Sequence, residues 1–224
     1  MSMRRLAVAG LGLVSVVGCT SVPFREADLV SLEAADPGTV REEFAAALPA
    51  AFRIVNTVTF EFKGRAFAAI GYTDVDTSRQ AFTVVGLHPA GGVKLFEISG
   101  DAEDVESTFV LEEFAVRGDL ARAVGDDTRR MYFDRLPSPD ARISKERYRI
   151  LFRQDAGDGE IEYVFSGSGG FLAEKRYYEN GSKIWSVSYY QYLREKGKLY
   201  PEGIILEHHG YGYRLVVRLR EIRS

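Results

Sequence analysis

The sequence predicts a mainly β (α+β) fold: an antiparallel sheet of about ten strands curled into an unclosed barrel or half-barrel, carrying two helices. Three observations predict it. Apolar and polar residues alternate with period 2 over most of the chain, the sign of strands buried on one face. Turn dipeptides such as Lys63-Gly64 and Asn180-Gly181 separate the alternating runs. Among 224 residues there are 14 Phe and 12 Tyr, side chains that favour strands and build cores.

The elements follow in order. Thr39 and Glu42 read as a capping box that opens a helix, with Val40, Phe44, Ala47 and Leu48 on one face and Pro49 at its exit. Val58, Phe60 and Phe62 alternate with Thr57, Thr59 and Glu61. The Lys63-Gly64 turn leads into Phe67, Ala69 and Gly71. Residues 79–87 and 92–99 form two strands joined through His88-Pro89-Ala90-Gly91-Gly92, and 104–111 forms another. Residues 117–133 break the pattern, with Leu120, Ala123, Val124 and Met131 at helical spacing and Pro137 and Pro139 beyond. A helix inserted there has to lie over the sheet or plug its mouth. Strands resume around Tyr148, Ile150 and Phe152, then Ile161, Tyr163 and Phe165, then 171–178, 184–193 and 203–208. In the last strand Tyr211, Tyr213, Leu215, Val217 and Leu219 alternate with mostly basic residues.

Ahead of the sheet, Arg4 and Arg5 precede an apolar stretch from Leu6 to Val17. It is shorter than the roughly 20 residues that span a bilayer and suits a signal-peptide core. It ends in Val16-Val17-Gly18-Cys19, which resembles the bacterial lipobox. That resemblance implies a signal peptide over 1–18, lipidation at Cys19, a polar tether over 19–37 and a folded domain over 38–224. Thr20 stands where lipoproteins kept in the inner membrane carry Asp, which implies the outer membrane, periplasmic face. Cys19 is the one Cys in the chain, so no thiol is left for disulfides, metal binding or catalysis. A net charge of −3 argues against a nucleic-acid partner.

The chain shows no catalytic constellation. His208 and His209 are adjacent on a strand and point to opposite faces, so they do not share a metal, and His88 sits beside a turn Pro. Gly167-Ser168-Gly169-Gly170 lacks the spacing of a nucleophile elbow or a phosphate loop and reads as a hairpin connection. Asp155, Asp158 and Glu160 lack the calcium-loop spacing. Asp126 and Asp127 read as the solvated side of the inserted helix. No cofactor, metal or catalytic residue is assigned.

What stands out is apolar surface. In 184–193, Trp185, Val187, Tyr189 and Leu193 fall on one face and Ile184, Tyr190 and Tyr192 on the other. Either the sheet is covered on both faces, or its concave face encloses a cavity for acyl chains. In the second case the lining is Phe60, Phe67, Phe82, Phe96, Tyr163, Phe165, Trp185, Tyr189, Tyr213 and Leu215.

The layout of lipobox, helix, strand meander and helical insertion resembles LolB and its periplasmic relative LolA. It is still more similar to a group of LolB-like lipoproteins without an assigned activity. The residues carrying the likeness are the hairpin from Phe82 through Pro89-Ala90-Gly91 to Phe96, and the closing pair from Pro201 to Leu206 and Tyr211 to Leu219. The resemblance implies an unclosed barrel with helices as a lid over an apolar cavity. It also implies a lipid, acyl-chain or lipoprotein cargo and membrane contact at the hairpin, through Leu87 and Ala90. Where LolB has a protruding Leu, this chain has Ala90, which buries less apolar surface by about 1–2 kcal/mol. The reading from another class is an assembly lipoprotein that binds an envelope protein through its sheet.

Overall fold

Alternation and turn chemistry produce a single continuous sheet. The computed structural model of the chain describes residues 22–112 and 119–223. Cys19 and the leader lie outside the described residues. Helix α1 (Pro37–Ala47) is followed by β1 (Ala51–Phe62), β2 (Arg65–Asp76), β3 (Ala81–Leu87), β4 (Lys94–Gly100) and β5 (Val105–Val110). Then come α2 (Leu120–Tyr132), β6 (Arg142–Glu146), β7 (Arg149–Ala156), β8 (Gly159–Ser166), β9 (Phe171–Glu179), β10 (Ser182–Glu195), β11 (Lys198–His208) and β12 (Tyr213–Arg223).

The strand order is β5-β4-β3-β2-β1-β12-β11-β10-β9-β8-β7-β6, all pairs antiparallel. The first and last strands therefore meet in the middle, and Val58 lies opposite Val217. The two edges, β5 and β6, are neighbours in sequence but stand at opposite ends of the sheet. A sheet of twelve strands curls, and here it stops short of closing. The segment carrying α2 connects the two edges and so lies across the open side.

Turns explain the register. Lys63-Gly64, Asn180-Gly181 and Lys196-Gly197 all take positive φ at both central residues, the type I′ geometry that suits strand twist. The third of these extends β10 and β11 beyond the predicted 184–193 and 203–208. Pro201 falls inside β11, where a missing N–H would ordinarily break the ladder. It is accommodated at a local break in the ladder, without a change of register: Tyr190 pairs with Gly203, Tyr192 pairs with Pro201, and Gln191 between them has φ 50°. The left-handed backbone at Gln191 also reverses the alternation. Trp185, Val187 and Tyr189 face the core as predicted, but beyond Gln191 Tyr192 turns inward and Leu193, 41% exposed, turns out.

Other expectations are corrected at their edges. Strand β6 was not expected, because all five of its residues are exposed and carry no alternation in burial. Helix α1 is capped by Asp36, whose carboxylate accepts from Thr39 N at 2.8 Å, with Pro37 in the first turn. The Thr39–Glu42 capping box does not form, because the aspartate three residues earlier takes that N–H. On α2, Ala123 is exposed, whereas Gly125 is buried so close to β5 that a Cβ would lie 2.7 Å from Val105.

The segment expected to be a polar tether docks on the domain at Phe24 and Leu32, with residues 25–31 exposed between them. Phe24 stacks on Tyr190 (centroids 5.2 Å apart) on the outer face of the sheet, beneath the Arg218 guanidinium at 4.6 Å. Leu32 joins the core, and Leu32 N donates to Arg147 O at 2.8 Å. Replacing Phe24 with Ala is expected to cost about 2 kcal/mol in urea denaturation, whereas a freely solvated tether would register nothing.

Candidate functional site

The inner face of the half-barrel is filled by its own helices. From α1, Phe44 (1% exposed) packs edge-on against Phe165 and Tyr192 and lies beside Phe171. From α2, the C-terminal residues Met131, Tyr132 and Phe133 enter the centre. Tyr132 packs edge-on against Phe52 and Phe133 against Phe82.

Polar ties pin the end of α2. Tyr189 Oη donates to Met131 O at 2.9 Å, and Lys175 Nζ donates to Phe133 O at 2.9 Å. Lys175 is fully buried on β9, so its ammonium meets carbonyls that a helix C-terminus leaves without partners. Burial pulls its pKa down to about 7, the nearby Asp134 opposing this. One turn earlier, Asp127 accepts from Tyr213 Oη at 2.7 Å and from Arg130 at 2.7 Å. Its carboxyl is pushed up by burial, against the pull of those two donors.

Asp127 therefore corrects the expectation of a solvated acidic pair. Helical spacing puts it one position from the apolar stripe, and only the strand carrying Tyr213 shows which way it faces. Replacing Asp127 by Ala strands Arg130 and Tyr213, and is expected to cost about 2–3 kcal/mol by thermal denaturation. Asp126→Ala, at a partly exposed neighbour, should stay within about 0.5 kcal/mol.

Of the predicted lining residues, Phe82, Tyr163, Phe165, Trp185 and Tyr189 are buried in the core. Phe96, Tyr213 and Leu215 pack partly buried against it. Phe67, half-buried, lies opposite Phe60 on β2. Phe60 is 37% exposed and groups with Phe62 and Tyr213 near the β1–β2 end of the sheet, so the ten do not line one chamber. The predicted concavity is occupied by α2 and Phe44. Beside the end of α2 remains a cavity of about 10 Å³, room for about one water. Pro49, Phe52, Tyr132, Arg135, Tyr200 and Ile204 are among its lining. Arg135 was not singled out in the sequence. An Arg after a helix gives no signal, but here Asp134 takes φ 47° and the chain turns Arg135 inward, leaving it 4% exposed.

The remaining sequence candidates separate. Leu87 is half-buried in β3 and pairs with Ile70, while Ala90 is exposed in the β3–β4 hairpin beside Val93, 58% exposed. His208 is buried against Tyr211 and Tyr213 and held largely neutral by burial, whereas His209 is exposed near Ser186 on the other side. Asp155 and Glu160 pair with Arg142, so a guanidinium answers those carboxylates. On the outer face, an open groove of about 790 Å³ over β7–β9 carries Arg153 and Arg176 on either side of the buried Glu162, at 2.6 and 2.9 Å. Those charges satisfy one another. Among the described residues, no group of three or more His, Cys, Asp or Glu side chains could hold a metal.

Fold and interior together define an open antiparallel half-barrel whose mouth is plugged by a helix. Comparison with solved structures places this architecture: the chain has a LolA-like fold. It superposes with a TM-score of 0.56 on a LolA superfamily protein from Nitrosomonas europaea, at 12% identity, covering 83% of this chain and 92% of that one. A domain from Vibrio parahaemolyticus assigned to outer membrane lipoprotein sorting gives 0.52 at 9% identity, covering 83% and 90%. No family model matches the sequence, and no curated protein matches it.

Proposed function

We propose that the chain is an envelope lipoprotein that binds a lipid, an acyl chain or a lipidated client inside its half-barrel. In this reading Cys19 carries the lipid, the leader over 1–18 is removed, and the domain hangs at the periplasmic face of the outer membrane. The observation that carries the reading is the plug. The end of α2 fills the apolar interior but is held there by separate polar ties: Tyr189 to Met131, Lys175 to Phe133, and Tyr213 to Asp127. Withdrawing it exposes Phe82, Tyr189 and Phe52 to a ligand and costs a handful of hydrogen bonds, each worth about 1 kcal/mol net. The Nitrosomonas and Vibrio structures, of the LolA superfamily and of lipoprotein sorting, support the same reading. No chemical step is needed, since binding by apolar burial is sufficient.

Cys19 stands just ahead of the docked Phe24, so the anchor holds the domain close to the bilayer with little slack. Cargo is then received or handed over at that membrane. The exposed Val93 and Ala90 at the β3–β4 hairpin are the apolar groups offered to it.

The test uses residues 20–224, which contain every described strand and helix. Organic extracts of the purified protein should yield phospholipid or acyl species near one per chain. An empty protein that also fails to bind a hydrophobic fluorophore would refute the reading. It would favour an assembly lipoprotein, for which the small interior cavity of about 10 Å³ and the exposed edge strand β6 are the specific observations.

A further inference from the structure

We infer that the outer face of β12, β1, β2 and β3 lies against the bilayer, and that Arg218 and Arg220 on it take the phosphates of anionic phospholipid. This goes beyond the reading above and rests on its anchor at Cys19: it says which way the anchored domain lies.

The docked segment fixes where the chain leaves the domain. Arg25 N donates to the Gln191 side chain on β10 at 3.2 Å. Phe24 covers Gly203 of β11 so closely that a Cβ there would lie 2.5 Å from its ring. Pro23 O accepts from Arg218 of β12 at 2.8 Å. Towards the N-terminus the chain thus crosses the outer face strand by strand and departs over the middle of the sheet. Arg218 is the sixth of the 11 residues in β12, so either end of that strand is about 17 Å away. Cys19 is four residues before Pro23, a span of at most about 14 Å. A lipid on Cys19 therefore cannot enter the bilayer while the half-barrel stands on either end. The face that carries the exit has to lie down.

That face suits a headgroup layer. Arg218 and Arg220 are exposed, and the groups they donate to, Pro23 O and Thr57 Oγ1, are neutral. Other charges on the face meet opposite ones: Arg53 pairs with Asp74, Arg223 with Glu221, and Arg214 with Glu61 and Glu207. A guanidinium fork matches the oxygens of a phosphate. Beside the arginines, Val55, Tyr72 and Val85 form one cross-strand row, and Thr57, Ile70 and Leu87 the next. Ile70, Tyr72, Val85 and Leu87 are half-buried, which leaves shallow apolar contact running towards the β3–β4 hairpin. The net charge of −3 does not oppose this contact. Charges more than about 8 Å from the lipid are largely screened at physiological ionic strength, so the near face decides.

The test reconstitutes the full-length lipidated protein in vesicles of phosphatidylethanolamine with phosphatidylglycerol, and in vesicles of phosphatidylcholine alone. A photo-crosslinking side chain is placed on the inferred face by Ala68→benzoylphenylalanine, or on β6 by Ser144→benzoylphenylalanine. Both positions are exposed, and they lie on one cross-strand row, with β6 at the far edge of the sheet. Cross-links to phospholipid, counted by mass spectrometry in the anionic vesicles, should be about fivefold or more higher at Ala68 than at Ser144. Each arginine is expected to contribute about fivefold to the docked population. The yield at Ala68 should accordingly fall in phosphatidylcholine, and fall in the anionic vesicles on Arg220→Gln. Equal yields at the two positions, on a chain that floats with the vesicles, would overturn the face and leave the anchor standing. A yield at Ala68 unchanged in phosphatidylcholine would overturn the role of the arginines. Wild-type protein that floats no better than Cys19→Ser would overturn the anchor itself.

Discussion

Raising the pH from about 7 to about 10 is expected to stabilise the fold by on the order of 4 kcal/mol through Lys175. In the folded chain burial holds its pKa down to about 7, against 10.5 in an unfolded chain. Below pH 7 both states bind the proton, and the whole burial penalty is present. Between 7 and 10.5 the folded chain has released the proton while the unfolded chain still holds it, so stability climbs. The neutral amine continues to donate to Phe133 O, so the helix end stays tied. Above about 10 the trend reverses, because burial also raises the hydroxyls of Tyr132, Tyr189 and Tyr192, and the unfolded chain ionises those first. Urea denaturation across this range should therefore give a maximum near pH 10. In Lys175→Met the climb from 7 should vanish while the fall above 10 remains. A wild-type profile flat between 7 and 10 would mean that water or a counter-charge reaches Lys175.

Phe44→Ala is expected to destabilise the protein by about 3–5 kcal/mol, the cost of a large ring lost from a closed core. Phe44 ties α1 to the inner face through Phe165, Phe171 and Tyr192, so the vacancy opens between helix and sheet. Stability should fall in thermal melts, and affinity for a hydrophobic fluorophore should rise, because the space vacated is apolar and faces the interior. A loss below about 1 kcal/mol would mean that α1 is not seated as described.

Much of the architecture was legible in the sequence. Period-2 alternation in β8 and β12, glycines after Lys63 and Asn180, and the 3.6-residue spacing around Leu120 and Val124 are local signals of local structure. β6 was not legible, since an exposed edge strand has no face to alternate. Nor was the inward turn of Tyr192, which follows the left-handed backbone at Gln191, opposite the stretch of the neighbouring strand that carries Pro201. The site was read in part. Tyr163, Phe165, Trp185 and Tyr189 are inside, as an alternating pattern requires, but the space they were expected to surround is filled by α2. Asp127, Lys175 and Arg135 carry the polar logic of the interior. None had a sequence signal, because a charge inside a fold looks no different in sequence from a charge on its surface.

The sequence by itself determined an open antiparallel sheet with two helices, together with the expectation of a lipid anchor at Cys19. Both rest on patterns a few residues long: alternation, turn dipeptides, and a short apolar stretch ending at a cysteine. Only the tertiary structure decided what the half-barrel contains. Strands distant in the chain meet there, and their contacts place Met131 over Tyr189, Lys175 beneath Phe133, and Arg135 inside the core at 4% exposure. Those pairings depend on where the sheet curls and where it stops, which no local pattern encodes.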